Sequence, residues 1–517
     1  MPSSPQPAEP LRLDGAFARR TREDWRAVAE DSLPRGTTLE SLARRTLDGL
    51  SLDVLHDASP VEGRWVPASG GAPGDADGAD EPGTGEAGTR LGSRLRVLGD
   101  EPARANAHAL EGLRGGADSL ELSVAAGEGT PDALPLAALD AILDGVHLDL
   151  VTLSLRAGED TEAAFEALLS LYAARGHDPA RMRCELDGDP IGTLARRGVS
   201  ADARAGDVAA GVEAAFGRLA AVAARAAREL PRARVASVDM ALHHEAGASV
   251  VQELVAGIAS ATLQLERLLD AGLDPAGICA RTTFRTSCDA NVVDGVVKLR
   301  ALERLWRHVL VESGLPVVPP FVVAATSRRH LSRLAPWVNH LRNVAACTAA
   351  AIGDADVLMV HPHDLVDGRR VGDTAVVADR VARNLPLLLA EECGLADVAD
   401  AAGGAHAIES LTQATVEAVW QGLGELQAEG GLVAALASGR WQAALARTHA
   451  ARVARLRDGE AIRVGVNRFR PADAPPPPDT PAPADVPEGE GTRPGAPLRA
   501  VREAAAFESG SSAEAGA

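Results

Sequence analysis

Eight short apolar runs, many of them β-branched, recur through the middle of the chain, and this recurrence limits the fold more than any other feature. They are "RLRVLG" (94–99), "SLELSV" (119–124), "HLDLVTLSL" (147–155), "RMRCELDG" (181–188), "RVASVDMAL" (234–242), "ICARTTF" (278–284), "PFVVAATS" (320–327) and "DVLMVHPH" (356–363). Each of the first seven gives way to a helical pattern before the next begins. In "VVKLRALERLWRHVLVESG", Val297, Leu299, Leu302, Leu305, Trp306, Val309 and Leu310 recur close to helical spacing. Strands alternating with helices predict an α/β fold with a parallel sheet, and eight such units predict a (β/α)8 TIM barrel over residues 91–400. A doubly wound open sheet is the competing architecture.

The flanks read differently. Residues 1–66 form an N-terminal extension with one helix, "TREDWRAVAEDSL", in which Thr21 is the cap and Glu23 and Asp24 stand in the first turn. Residues 67–90 hold no apolar side chain larger than alanine and predict a disordered acidic linker. Residues 374–391 and 406–457 read as helices, so that 401–470 make a C-terminal helical region. Residues 471–517, with "PADAPPPPDTPAPADVPEGEGTRPGAP", predict a disordered Pro/Gly-rich tail.

Composition narrows the function. A net charge of -20 argues against nucleic acid and against anionic membrane surfaces, because both need basic contacts. The 5 cysteines are scattered and show no C-x-x-C, which argues against a zinc site or a disulfide framework and for reduced thiols. The start "MPSSPQPAEP" has no basic or apolar leader pattern, and no run is long and apolar enough to span a membrane. A cytoplasmic chain is expected.

Candidate chemistry lies at the ends of the runs, because barrel enzymes carry their sites at the C-terminal ends of their strands. His243, His244 and Glu245 follow the fifth run. They could supply a base or metal ligands, but the spacing is not H-E-x-x-H. Neighbours in an extended segment point to opposite faces, so the two imidazoles should diverge. Glu245 could instead cap the next helix. His361, His363 and Asp364 close the eighth run; the two histidines, at i and i+2, could share a face and join ligands from other loops, or be ordinary polar residues at a strand end. Asp187 and Asp189, in "CELDGDPIG", offer paired carboxylates or simply a turn. Tyr172 is the single tyrosine.

Several longer stretches carry a resemblance. "RANAHALEGLRGGADSLEL", "DMALHHEAGASVVQEL", "VVKLRALERLW", "TSRRHLSRLAPWVNHLRNVAACTAAAIGDAD" and "VARNLPLLLAEECGLADVADAAGGAHAIESLT" include E-A-G-A (Glu245–Ala248), K-x-R-A-x-x-x-x-W (Lys298 to Trp306) and P-W-x-N-x-x-R (Pro336 to Arg342). In this order the chain resembles the methylmalonyl-CoA mutase family from about Leu91 to about residue 450. "TLESLARRTLDGLSLDVLHD" is similar to the segment that precedes the barrel there. The resemblance implies a barrel that threads acyl-CoA along its axis and a separate domain for adenosylcobalamin, which supplies the radical for interconverting methylmalonyl-CoA and succinyl-CoA.

The departures from the family pattern are as informative. Active members carry tyrosine-histidine just before E-A-G-A, where Ala241 and Leu242 stand here. A tyrosine of the first strand is replaced by Leu98, and Q-S-L-H of the eighth by Asp356–Met359, with Met359 last. Tyr172 fills neither place. No histidine follows an aspartate at the spacing of the cobalamin motif D-x-H-x-x-G. The resemblance therefore implies a degenerate, non-catalytic small subunit with no cobalamin-binding domain. No metal and no cofactor are expected on this chain; adenosylcobalamin is expected on a large-subunit partner in a heterodimer. The barrel axis should be filled by side chains or unable to turn over substrate. His243, His244, Glu245, His361, His363 and Asp364 would then be vestigial residues of the mouth. Two alternatives stay open: the substrate-barrel half of a split cobalamin-dependent acyl-CoA mutase, and an unrelated barrel enzyme with a metal at His361, His363 and Asp364.

Overall fold

The structure, a computed structural model, describes residues 20–56, 91–97, 101–126, 133–200, 203–367, 372–470 and 495–508. All eight runs become strands: β1 (Gly92–Val97), β2 (Ser119–Ala125), β3 (Thr152–Arg156), β4 (Cys184–Gly188), β5 (Arg234–Asp239), β6 (Thr282–Cys288), β7 (Phe321–Thr326) and β8 (Val357–Met359). Every neighbouring pair is parallel, and β8 pairs with β1 at Val357↔Gly92, which closes the sheet. The fold is a (β/α)8 barrel, and the open-sheet alternative is excluded.

Two strands start well inside the runs that predict them. β6 starts at Thr282 because "PAGICA" is a short helix, Pro275–Ala280, capped where the Gly277 amide donates to the Asp274 carboxylate at 2.6 Å. β3 starts at Thr152 because residues 147–150 form a turn.

Side-chain alternation sets the character of the barrel. Along β1, Leu95 points outward onto helix Pro102–Arg114, where its Cδ2 fills the space that a Cβ on Gly112 would need. Arg94 and Arg96 therefore point inward. Leu120, Leu122, Leu153, Leu155, Leu186 and Val238 fill the outer layer between strands and helices, with Phe165, Phe284 and Trp306 among the largest buried side chains. Ring edges of Phe284 and Trp306 meet at 5.2 Å between centroids. Strands of an all-parallel sheet are usually apolar on both faces. Here the inner face of β1 to β6 carries charge, with Arg94, Arg96, Glu121, Arg156, Glu185, Asp239 and Arg285, whereas Val323, Ala325, Val357 and Met359 line the inner face of β7 and β8.

Outside the barrel, helix Arg22–Ser32 carries the expected cap on Thr21, which forms a capping box with Asp24, and buries none of its residues. A small hairpin, Arg44–Arg45 with Ser51–Leu52, places Asp48 against the start of helix Val250–Asp270, accepting from the Ser249 hydroxyl and the Val251 amide. C-terminal helices His406–Ala428, Gly431–Ser438 and Arg440–Arg457 follow the barrel. The linker 67–90 lies outside the described residues. For part of the tail, the expectation of disorder is corrected. Residues 495–508 fold back onto the barrel, because Glu503 is buried among Arg329, Arg452 and Arg463 and Leu498 joins the core. Pro/Gly-rich composition hid this short anchored segment.

Candidate functional site

Ion pairs cross the barrel axis. Arg94 on β1 reaches Glu185 on β4 with both terminal nitrogens, at 2.9 and 2.5 Å, and donates to Ser119 at 3.3 Å. Arg285 on β6 reaches Glu121 on β2, which also has Arg96 at 3.6 Å. Arg156 on β3 donates to Asp239 on β5 at 2.6 Å and lies 3.5 Å from Asp187 on β4. Arg196 adds a second donor to Asp239 at 2.7 Å. Four guanidiniums on the strands (Arg94, Arg96, Arg156, Arg285) face four carboxylates (Glu121, Glu185, Asp187, Asp239). Burial alone would push the Glu121 carboxyl up, but Arg285, Arg156 and Arg96 hold it well below the usual range. Asp239 is held low in the same way by Arg156 and Arg196.

A register shift between β4 and β5 aims two of these groups. Asp187 has a φ of 47°, the left-handed region that a bulge imposes, and its carboxylate accepts from Ser237 at 2.8 Å. Asp189 caps helix Pro190–Arg197 through Gly192 at 2.8 Å and accepts from the Asp239 amide at 3.0 Å. Burial pushes the Asp189 carboxyl up to about 6. "D-G-D-P" is thus a bulge followed by a helix cap, and the two aspartates do not face a common cleft as an acid-base pair.

At the mouth, Ala241–Glu245 is a short helix rather than an extended segment. The two imidazoles do diverge, but by helical rotation. His243 accepts from the Trp441 indole at 3.0 Å, and burial pushes its pKa down to about 4. His244 donates from Nδ1 to Glu253 at 3.0 Å, which leaves Nε2 to accept from the Ser327 hydroxyl at 3.0 Å. Lys298 also grips Glu253 at 2.8 Å; against the push of burial, Lys298 and His244 hold that carboxyl at about 2. Serine, histidine and glutamate in this order have relay geometry. All three are fully buried, Ser327 accepts from the Arg329 amide, and the charge of Glu253 is spent on Lys298, so the array braces the mouth.

Glu245 does not cap the following helix; Ser249 does. Its carboxylate accepts from the Arg328 and Arg329 amides at 3.1 and 3.0 Å and pins the turn after β7. Gly247, with φ of 104°, lets His449 approach to 2.9 Å from where a Cβ would be. Arg329 donates to the His244 and Ala248 carbonyls at 2.8 and 2.9 Å. Residues 495–508 run across this face as a strap: Val501 donates to the Glu245 carbonyl, Glu503 to that of Arg329, and Leu498 to that of Ala195.

His361 and His363 part company. His361 donates from Nδ1 to the Thr326 carbonyl at 2.7 Å. His363 stacks against both Trp337 and His340, at 4.8 and 3.8 Å between centroids. Asp364 is buried beside them in sequence, but no group of three or more metal-ligating side chains converges among the described residues. Ala241 and Leu242 are half-buried, Leu242 against the core, and Met359 is buried on the inner wall beside Ala325 and Arg94. Leu98 lies outside the described residues. Tyr172 is buried in the outer layer on helix Thr161–Ala174.

The crossing pairs Arg94–Glu185 and Arg285–Glu121 were not singled out from the sequence. Their signal is the period-two alternation in "SRLRV", "SLELS" and "TFRTS", which marks an inner face that is charged.

Comparison with known proteins points one way. The sequence pattern of the methylmalonyl-CoA mutase family matches residues 134–506. The chain is 34% identical over 491 residues to the methylmalonyl-CoA mutase small subunit of Streptomyces virginiae, spanning 91% of this chain and 75% of that one. It is 32% identical over 442 residues to a probable methylmalonyl-CoA mutase small subunit of Mycobacterium tuberculosis, spanning 81% of this chain and 67% of that one. To the small subunit of Propionibacterium freudenreichii subsp. shermanii it is 29% identical over 478 residues, 89% and 70% of the two chains.

Proposed function

The chain belongs to the methylmalonyl-CoA mutase family, and from that premise we propose that it is a non-catalytic small subunit that stabilises a large-subunit partner. The observation that supports this reading most is the ion-paired barrel axis. A barrel that threads acyl-CoA needs an open axis. Here Arg94–Glu185 and Arg285–Glu121 span it from wall to wall. Opening the axis would separate buried opposite charges, at about 3–5 kcal/mol for each pair broken.

Two further observations support it. Ala241, Leu242 and Met359 offer no hydrogen-bonding or acid-base group where the family resemblance expects tyrosine and histidine. Helix Arg22–Ser32 buries no residue against its own chain, as suits a segment that packs on a partner.

Adenosylcobalamin does not fit the residues present. The strap 495–508 is bonded over the helices that follow β4 and β5 and the turn after β7, on the face where barrel active sites form. No histidine of the chain stands two positions after an aspartate. The isomerisation of methylmalonyl-CoA and succinyl-CoA is assigned to the partner.

Mixing experiments test this against the split-enzyme reading. The purified chain is combined with the large subunit, or with a stand-alone cobalamin protein, and each mixture is assayed and run by size exclusion. A stable complex with the large subunit, and no activity with the cobalamin protein, is expected. Activity with the cobalamin protein alone would mean that this barrel holds the substrate site.

A further inference from the structure

The charges at the mouth are layered. The side chains of Glu121, Asp187 and Asp239 are 0%, 3% and 4% exposed, whereas those of Arg96, Arg156 and Arg196 are 28%, 18% and 29% exposed. Anything entering from solvent therefore meets guanidiniums first. Arg328, from the turn after β7, acts on the same group, since its charge helps to lower the pKa of both Arg96 and His361, and its guanidinium makes no hydrogen bond or ion pair among the described residues. Nε of Arg96, one terminal nitrogen of Arg196 and Nε2 of His361 are buried with no hydrogen-bond partner.

The Arg96 and Arg196 nitrogens have only long ion pairs, to Glu121 at 3.6 Å and Asp187 at 3.9 Å, and His361 Nε2 has no hydrogen bond; buried groups left so at such a place point to a ligand. Glu245 and Glu121 also face this region; Glu245 is held by two backbone amides, and Glu121 by Arg285 through one oxygen, its other oxygen standing 3.6 Å from Nε of Arg96. The four arginines offer donors for an oxyanion. His361 sets a further condition. Its Nδ1–H is committed to the Thr326 carbonyl, and burial together with Arg328 and Arg96 pushes its pKa down to about 4. At neutral pH its Nε2 is thus an acceptor, and the ligand must bring a hydrogen. Carboxylates and sulfate are fully ionised at that pH and have none to give.

We propose that the barrel mouth, lined by Arg96, Arg328 and His361, binds a protonated oxyanion of the hydrogen phosphate class, with its ionised oxygens on the guanidiniums and its hydroxyl donated to Nε2 of His361. The site goes beyond the subunit role and does not depend on it.

Calorimetric titration of the full-length chain at pH 7.5 and matched ionic strength tests the proposal, with sodium phosphate, sodium sulfate and sodium succinate as probes. Saturable phosphate binding is expected, with sulfate and succinate about tenfold weaker or worse, a difference of about 1.4 kcal/mol. Arg328→Gln should weaken phosphate binding about tenfold without breaking a hydrogen bond of the fold, the two amides that hold Glu245 being backbone groups. Arg96→Gln is the second variant, with Glu121 still paired to Arg285. No saturable heat with phosphate overturns the proposal. So does equal phosphate affinity in wild type and both variants, or sulfate binding as tightly as phosphate.

Discussion

Arg329 is engaged along its whole guanidinium: two backbone carbonyls, Asp289 at 2.9 Å and Glu503 at 3.4 Å. Glu503 in turn gathers Arg452 at 3.5 Å and Arg463. Neutralising a carboxylate that serves one buried and two half-buried guanidiniums leaves them to repel one another. Glu503→Gln is predicted to cost about 3–5 kcal/mol, read as a lower urea midpoint. An unchanged midpoint would show that the strap is not held by charge. Lys298 permits a second test. Its charge is among the causes that hold the His244 pKa below the usual histidine value, after burial and Arg329. Lys298→Met should therefore raise the His244 pKa, seen by NMR titration of its ring protons; a fall would place the control of His244 elsewhere.

Among the elements, the strap 495–508 joins parts of the barrel far apart in sequence, from Ala195 to Arg333. Ending the chain at residue 494 is predicted to lower the thermal midpoint and to speed amide exchange over 328–333, where Glu503 and Glu508 make their bonds. Exchange that stays the same would show that the barrel mouth needs no strap. The strap also shows what the sequence withheld. The eight strands were legible because "RVASVD" and "FVVAAT" carry their own β-branched pattern. Helix Arg22–Ser32 was legible because its capping box is local. Glu503 is different: its partners lie at 329, 452 and 463, and nothing nearby in "LRAVREAAAFE" announces them. The detail of the histidine cluster was not legible. A helical turn, invisible in "DMALHHEAG", sends His243 to Trp441 and His244 to Glu253. Arg94 and Glu185 meet only when the barrel closes, although their inward direction was written in the alternation.

At the scale of the whole molecule, buried histidines tie stability to pH. Burial pushes His243, His361 and His449 to about 4 and His330 to about 3. Each takes up a proton more readily when unfolded, near the ordinary value of about 6.5. Their stabilisation is complete above 6.5 and is lost as pH falls from there toward their folded values, by up to about 1.4 kcal/mol per pH unit for each group. Unfolding by urea should thus need clearly less denaturant at pH 5.0 than at pH 7.5; equal midpoints would contradict the buried neutral histidines. The same molecule has a barrel whose axis is bridged by ion pairs and whose mouth is strapped, and the central claim is that such a barrel performs no isomerisation itself. The most direct test is turnover by the purified chain alone, supplied with methylmalonyl-CoA and adenosylcobalamin and followed by succinyl-CoA formation. The account predicts no product from this chain alone and product once the large subunit is added. Succinyl-CoA formed by the isolated chain would contradict it.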